Sequence, residues 1–360
     1  MSAAEEKTIQ SRFATILGAG LIVWTCIVFI LLGIWLWKRA SQESEPADFY
    51  AALTASADAT ETPQPIEEDA SGSIAPSGFP TFTPAPQTAA TLPPGSAPTG
   101  KIVFTCYING FDEICLMDPD GGNQKRLTED QATDFYASLG PDGRTVVFSS
   151  RRDGRFEVYS MNTDGGNQQR LTRDIGSAFA PVISPDGNTI LFANDIGPNQ
   201  TLWLIDIDGL NPRQLTESPY DDVDPTWSPD GSMIAFASSR SGGRQLFVMN
   251  ADGTGVRQVT DSSDMGGRHS WSADGLALAF YAGPRGDHDI YIVNIDGTGL
   301  RQLTDGGDNL APSFSPDGGW ITFTSYRDGN NEIYVMLPDG SQVARLTNNT
   351  RPDWQSRWGP

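Results

Sequence analysis

From Lys101 onward, short apolar runs alternate with polar Gly/Asp turns at a nearly fixed interval. The runs open at Lys101, Thr145, Thr189, Met233, Ala277 and Trp320, giving periods of 44, 44, 44, 44 and 43 residues. Each reaches a phenylalanine: Phe104, Phe148, Phe192, Phe236, Phe280 and Phe323. A turn such as Arg151-Arg152-Asp153-Gly154 follows, then a second run with an aromatic at Tyr159, Trp203, Phe247, Tyr291 or Tyr334. Asp-Gly comes next in all six lines, then a short Arg/Gln-Leu-Thr segment, with Val259 replacing Leu in the fourth. A variable loop leads to Trp/Phe-Ser-Pro-Asp-Gly, as in Trp227 to Gly231 and Phe314 to Gly318. Short β-branched and aromatic runs joined by Asp-Gly turns predict antiparallel hairpins. Their lack of clean alternation fits sheets buried on both faces.

Four strands per unit of about 44 residues is the pattern of a β-propeller blade. The first line lacks the Trp-Ser-Pro strand before Lys101, and the chain ends on Arg357-Trp358-Gly359-Pro360, which aligns with that strand. The C-terminus is therefore expected to supply the innermost strand of the first blade and close the ring without an exposed edge. The expected fold is all-β: a six-bladed propeller of four-stranded antiparallel blades over residues 101–360.

The stretch from Ile321 to Gly340, Ile-Thr-Phe-Thr-Ser-Tyr-Arg-Asp-Gly through Tyr-Val-Met-Leu-Pro-Asp-Gly, resembles the TolB-type propeller repeat. The resemblance covers all six lines and is strongest in lines two, four and six. The Gly-His and Trp-Asp pairs of the WD repeat are missing. The resemblance implies a protein-binding platform, of a kind often found in the bacterial envelope. The family's namesake carries an α/β domain ahead of its propeller. An apolar segment and a linker stand in that place here, so the chain reads as a membrane-anchored relative and not as TolB itself.

Residues 13–37 carry no charge and are rich in Ile, Leu, Val and Trp. At about 1.5 Å per residue such a helix crosses a hydrocarbon core of about 30 Å. Trp35 and Trp37, then Lys38 and Arg39, mark its end as an interface. A cleaved signal peptide has a shorter core of about 7–15 residues. A tail over residues 1–12, a transmembrane helix over 13–37 and a disordered Pro/Ala/Thr-rich acidic linker over 38–100 are expected. Basic residues are balanced across the span, and the linker from Ala40 to Gly100 has none, which favours an extracytoplasmic propeller. The expected location is the cell membrane, single-pass.

The charge of −21, from 24 Lys+Arg against 45 Asp+Glu, argues against nucleic-acid binding. Two His and three Cys are too few for an ordinary zinc site. Gly95 to Lys101 has the spacing of a phosphate loop, but Ile102 replaces the Mg²⁺-binding hydroxyl and the segment leads into a strand. No Gly-x-Ser-x-Gly elbow occurs, and the adjacent His269 and Ser270 are no triad. Recurrent Asp-x-Asp-Gly stretches read as hairpin turns rather than calcium loops. No cofactor, metal or catalytic residue is expected.

Cys106 stands where the other lines have Ser, Asn or Ala, and Cys115 where they have an aromatic. Paired replacements on facing strands suggest a cross-strand disulfide; the alternative is two small buried thiols. The loops before the innermost strands carry the candidate site, since in propellers such loops converge on the channel mouth. Equivalent positions hold Asp134, Ala178, Asp222, Gly266, Asn309 and Asp353, and two residues later Tyr136, Ala180, Asp224, Arg268, Ala311 and Gln355. With Tyr220 and Trp354 as aromatic anchors, the expected ligand-binding set is Asp134, Tyr136, Tyr220, Asp222, Asp224, Arg268, Asn309, Asp353, Trp354 and Gln355.

The expected function is protein binding or scaffolding at an acidic mouth, by a monomeric propeller that is not an enzyme. A partner with a basic segment is favoured by charge. The alternatives are a carbohydrate-binding or hydrolytic propeller, or a sensor or assembly subunit with a cytoplasmic propeller.

Overall fold

The computed structural model describes residues 98–261 and 265–360. The tail, the apolar segment and all but the last residues of the linker lie outside the described residues. Within the described residues no helix is long and apolar enough to cross a membrane, and every named element is a strand.

The first blade contributes β1 (Lys101–Ile108), β2 (Phe111–Met117) and β3 (Lys125–Arg126). The second holds β4 (Asp134–Leu139), β5 (Thr145–Ser150), β6 (Glu157–Asn162) and β7 (Gln169–Arg170). The third holds β8 (Ala178–Ile183), β9 (Thr189–Asn194), β10 (Thr201–Asp206) and β11 (Arg213–Gln214). The fourth holds β12 (Asp222–Trp227), β13 (Met233–Ser238), β14 (Gln245–Asn250) and β15 (Arg257–Gln258). The fifth holds β16 (Ser270–Trp271), β17 (Ala277–Ala282), β18 (Asp289–Asn294) and β19 (Arg301–Gln302). The sixth holds β20 (Asn309–Phe314), β21 (Ile321–Ser325), β22 (Glu332–Met336) and β23 (Ala344–Arg345). Finally β24 (Asp353–Gly359) returns to the first sheet, ordered β24-β1-β2-β3.

Closure runs through the expected pairing, with Ile102 opposite Trp358 and Cys106 opposite Asp353. The Trp358 indole N–H also donates to the Thr99 carbonyl at 2.8 Å. Five of the six apolar runs begin their strands where the repeat places them; the last begins at Ile321, one residue after Trp320.

The repeated phenylalanines explain the packing. All six are 2% exposed or less, and five face the aromatic of the next strand, as Phe148 faces Tyr159. Core clusters span neighbouring blades: Val147 and Val158 of the second pack with Ile190 and Phe192 of the third. Burying one such side chain contributes about 1.5–3 kcal/mol, so the blades are joined by their sheet faces.

The Leu-Thr segment has a second task. The threonine hydroxyl accepts a backbone N–H of the third strand in every blade, from its second residue in five, as Thr172 does from Val158 at 2.9 Å, and from Ile114, the fourth residue of β2, in the first. These bonds anchor the two-residue outer strands, which are too short to hold by their own ladder.

Each innermost strand starts on the face that carries the second-to-third turns and the interblade loops, here called the mouth. Its third residue has a positive φ in five blades, Tyr136, Ala180, Asp224, Ala311 and Gln355, and so has the equivalent Arg268, which lies two residues before β16. Register shifts mark bulges there in five blades. In the fifth, only Ser270 and Trp271 remain as strand, with an isolated bridge between Met265 and Ala282. An extra residue in left-handed conformation bends a strand and re-aims its side chain.

Candidate functional site

The first ring of expected ligand residues turns out to be structural. In the second blade, Arg152 folds back from the turn after β5. Its Nε–H donates to Ser150 Oγ at 2.7 Å and its terminal NH₂ to Asp134 at 2.8 Å, while the guanidinium lies over the Phe148 and Tyr159 rings. The fourth blade repeats this with Arg240, Ser238 and Asp222, over Phe236 and Phe247. The sixth uses Arg327, Ser325 and Asn309, over Phe323 and Tyr334. Each clip ties the innermost strand to the turn between the second and third strands, with the charge stacked on aromatic faces.

Asp134, Asp222 and Asn309 are fully buried. Asp353 is 3% exposed and receives the Asn349 amide at 2.6 Å. Burial, then the nearby Glu332 charge, pushes Asp353 up to about 8; burial likewise pushes Asp134 up to about 6. The expectation that these carboxylates make an acidic mouth is therefore corrected. They begin the innermost strands, beneath the loops, and in the second and fourth blades they are neutralised by arginine.

The second ring lines the channel. Arg268, from the fifth blade, donates to the carbonyls of Gln355 in the first blade and Ala137 in the second, both at 3.3 Å. Its guanidinium lies 5.1 Å from the Tyr136 ring centroid. Gln355 Oε1 accepts the Tyr136 backbone N–H at 3.2 Å. In the reverse direction Arg357, from the first blade, donates to the His269 carbonyl of the fifth at 2.8 Å. Two arginines thus reach across the axis. Asp224 joins them from the fourth blade, packed so closely on Gly267 that a Cβ there would come within 2.1 Å of its carboxylate. Burial holds His269 near 3, so it is neutral, and burial beside Arg268 lowers Arg357 to about 9.

Of the ten expected ligand residues, Tyr220 alone is exposed; Tyr136 and Gln355 are half-buried and the others are buried. Trp354 and Asp224 lie inside the ring at 7% and 8% exposure. The structure brings Tyr136, Asp224, Arg268 and Gln355 to the channel. Tyr220 remains on the interblade loop between the third and fourth blades.

Sequence reasoning missed two elements of the mouth. A chain of ring contacts runs outward from Tyr136 through Phe135 and Phe156 to Phe179, with centroids 4.6, 4.7 and 5.3 Å apart. Phe156 immediately precedes β6 and Phe179 is the second residue of β8, and both are half-buried. Beside this chain, a cavity of about 430 Å³ opens between the first two blades, lined by Phe111, Asp130, Thr133 and Arg151 among others. The signal for Phe156 was its departure from the polar residues of the other lines, Asp112, Gln200, Arg244, His288 and Asn331; Phe179 gave no such signal, since its equivalents include Phe135, Val223, Leu310 and Trp354. Arg357 carried the same kind of signal, a charge on a strand of otherwise uncharged equivalents such as Ser138 and Val182.

Cys106 and Cys115 are joined by a disulfide with Cα atoms 5.9 Å apart. Cys106 takes the place of the clip serine, and Cys115 faces Phe104 as the aromatics do elsewhere. Among the described residues no group of three or more His, Cys, Asp or Glu has the geometry to hold a metal ion.

The family model described as the TolB beta propeller domain matches residues 85–195, 172–284 and 258–360. No curated protein matches the chain. Among solved structures, TolB from Acinetobacter baumannii is similar with a TM-score of 0.66 at 21% identity, over 75% of this chain and 68% of that one. A TolB-designated protein from Agrobacterium tumefaciens gives 0.55 at 20%, over 74% and 100%. Hydrazine synthase from Kuenenia stuttgartiensis gives 0.60 at 20%, over 74% and 47%. At these identities the likeness speaks for the fold, which hosts both binding proteins and enzymes.

Proposed function

Because the chain belongs to the TolB β-propeller domain family, whose fold generally mediates protein interactions, we propose that it is a membrane-anchored binding module of the cell envelope. The anchor is residues 13–37 and the propeller stands on the extracytoplasmic side. The partner is a protein that docks on the mouth.

The observation that carries this reading is the distribution of unspent aromatic and apolar surface. The channel carboxylates are consumed inside the ring. The mouth, in contrast, presents Tyr220 (45% exposed), Tyr326 (48%) and Ile196 (54%) on turns and loops held by a rigid scaffold. Half-buried Tyr136, Phe156 and Phe179 continue inward from them. Exposed tyrosines on fixed loops are the residues expected at binding hot spots. A partner with a basic segment gains from long-range attraction to the net charge of −21, with exposed Glu217 and Asp221 flanking Tyr220.

Photo-crosslinking in cells tests the docking face. A crosslinker at position 220 should yield a discrete adduct, and one at position 300 on the opposite face should not; adducts from position 300 alone move the site. Protease treatment of intact cells, with a tag after Pro360, tests topology. Cleavage in the linker without lysis is expected, and full protection until lysis places the propeller inside.

A further inference from the structure

We propose that the channel between Arg268 and Arg357 is an anion site, built to take a carboxylate. This goes beyond docking on the mouth and does not depend on it.

Arg357 is 8% exposed, and among the described residues it has no ion pair with any carboxylate. One terminal N–H is used by the His269 carbonyl, while its buried Nε–H has no acceptor. A buried charge without a counter-charge costs several kcal/mol, so such groups are normally paired.

The charged surroundings make the need greater. Arg268 raises the positive potential at Arg357, and Asp224 is the one carboxylate whose field opposes it. His269 packs against both arginines and is neutral, so it adds no negative charge. The polar groups that complete the lining, Tyr136 and Gln355, carry no charge at neutral pH.

The other blades supply the internal comparison. Buried Asp134 and Asp222 each receive a guanidinium at 2.7–2.8 Å, which is how this protein pairs its interior charges. Arg357 departs from that rule, and its equivalents Ser138, Val182, Thr226, Ser270 and Ser313 are uncharged. A guanidinium placed where the repeat needs none, with a free N–H, points to a ligand. A carboxylate suits it, since it accepts from Nε–H and a terminal N–H together. It can arrive as a free small anion or on a partner's acidic residue.

The test uses the full chain in detergent micelles, with thermal unfolding followed at fixed pH and ionic strength. Acetate replaces a bulky sulfonate in one series, and chloride replaces it in another. A saturable rise in Tm of about 3 °C at ten times the Kd is expected in acetate. The rise should vanish in Arg357→Gln and survive in part in Arg357→Lys, which keeps the charge without the fork. A wild-type Tm indifferent to acetate, or an equal rise in both variants, overturns the proposal. Where chloride matches acetate the site takes any small monoanion and the carboxylate assignment falls; a response to acetate with none to chloride supports it. Should Arg357→Gln fail to fold, Arg268→Gln serves in its place, with a right-shifted acetate midpoint expected and an unchanged one counting against the site.

Discussion

The six blades look alike along the chain, yet they fall into two alternating sets. Blades two, four and six carry the clip: a turn arginine stacked on two aromatics, bonded to a serine and to the head of the innermost strand. Blades one, three and five do without it. In the first, Cys106 stands in the serine's place and is tied to Cys115. In the third, Asn194 fills that place and its side-chain oxygen accepts the Ile196 N–H. In the fifth, Gly266 and Gly267 replace the strand head, with Tyr281 packed where a Cβ at Gly266 would come within 1.8 Å of its ring. The arginines that cross the channel, Arg268 and Arg357, both come from this second set. The clip secures three blades by one means, while the channel draws on both sets: Tyr136 and Asp224 come from clipped blades, Arg268 and Arg357 from unclipped ones.

The largest expected effect should be blind to that division. Phe192→Ala in an unclipped blade and Phe236→Ala in a clipped one both empty a fully buried site. Each should cost about 3–5 kcal/mol in denaturant unfolding. A much smaller loss in one set would mean that its core is supported differently, which would break the comparison at its base.

The clip itself comes next. Asp222→Ala leaves Arg240 stacked on its rings without its carboxylate. The expected loss is about 2–3 kcal/mol, below that of a fully buried pair because the Arg240 side chain is 23% exposed. Asp222→Asn copies what blade six already does with Asn309 and should cost about 1 kcal/mol or less. Equal losses for the two substitutions would show that the charge, rather than the hydrogen bond, holds the clip.

These cases show what the sequence made legible. A recurring Phe and Asp-Gly fixed the strand order, because both act locally, on one hairpin at a time. The fate of Asp134 and Asp222 was harder to read, since their partners lie 18 residues further on and return only when the blade is folded. The signal was present all the same: the Ser-x-Arg turn occurs in the three lines whose strand head is Asp or Asn and whose second aromatic is Phe or Tyr. Arg268 and its acceptor Ala137 are 131 residues apart, on opposite blades, and no local pattern could join them.

In the first blade the disulfide stands where the clip does elsewhere. Reduction should cost about 2 kcal/mol, the low end for such a bond, because the cysteines are only nine residues apart. Comparing Tm with and without reductant checks this. A loss beyond 4 kcal/mol would mean that the first blade, which also closes the ring, unfolds as a unit.

Asp353 heads the strand of that same blade and has no arginine. Its folded pKa of about 8 lies above the usual value of about 3.9, so the folded chain holds the proton more tightly. The stability it contributes is complete below about pH 4 and is lost as pH rises through about 8. Asp353→Asn should therefore leave stability nearly unchanged at about pH 4 and raise it by several kcal/mol at about pH 9. Parallel wild-type and variant curves between those values would remove the carboxylate from the account.

The smallest effect on stability should accompany the clearest effect on binding. Tyr220 sits on an interblade loop with nearly half its surface exposed, and its backbone N–H bonds to Ser218 Oγ in the same loop. Truncation to Ala should change unfolding by no more than about 0.5 kcal/mol, since no core contact or clip is lost. The same substitution should weaken partner capture about tenfold or more if the ring is an anchor at the mouth. Asp222→Asn, two residues along, is the natural control, because it alters a clip at the root of the same loop and leaves the surface intact. Loss of capture in Tyr220→Ala with retention in Asp222→Asn assigns binding to the loop surface, and the opposite pattern assigns it to the scaffold that holds the loop.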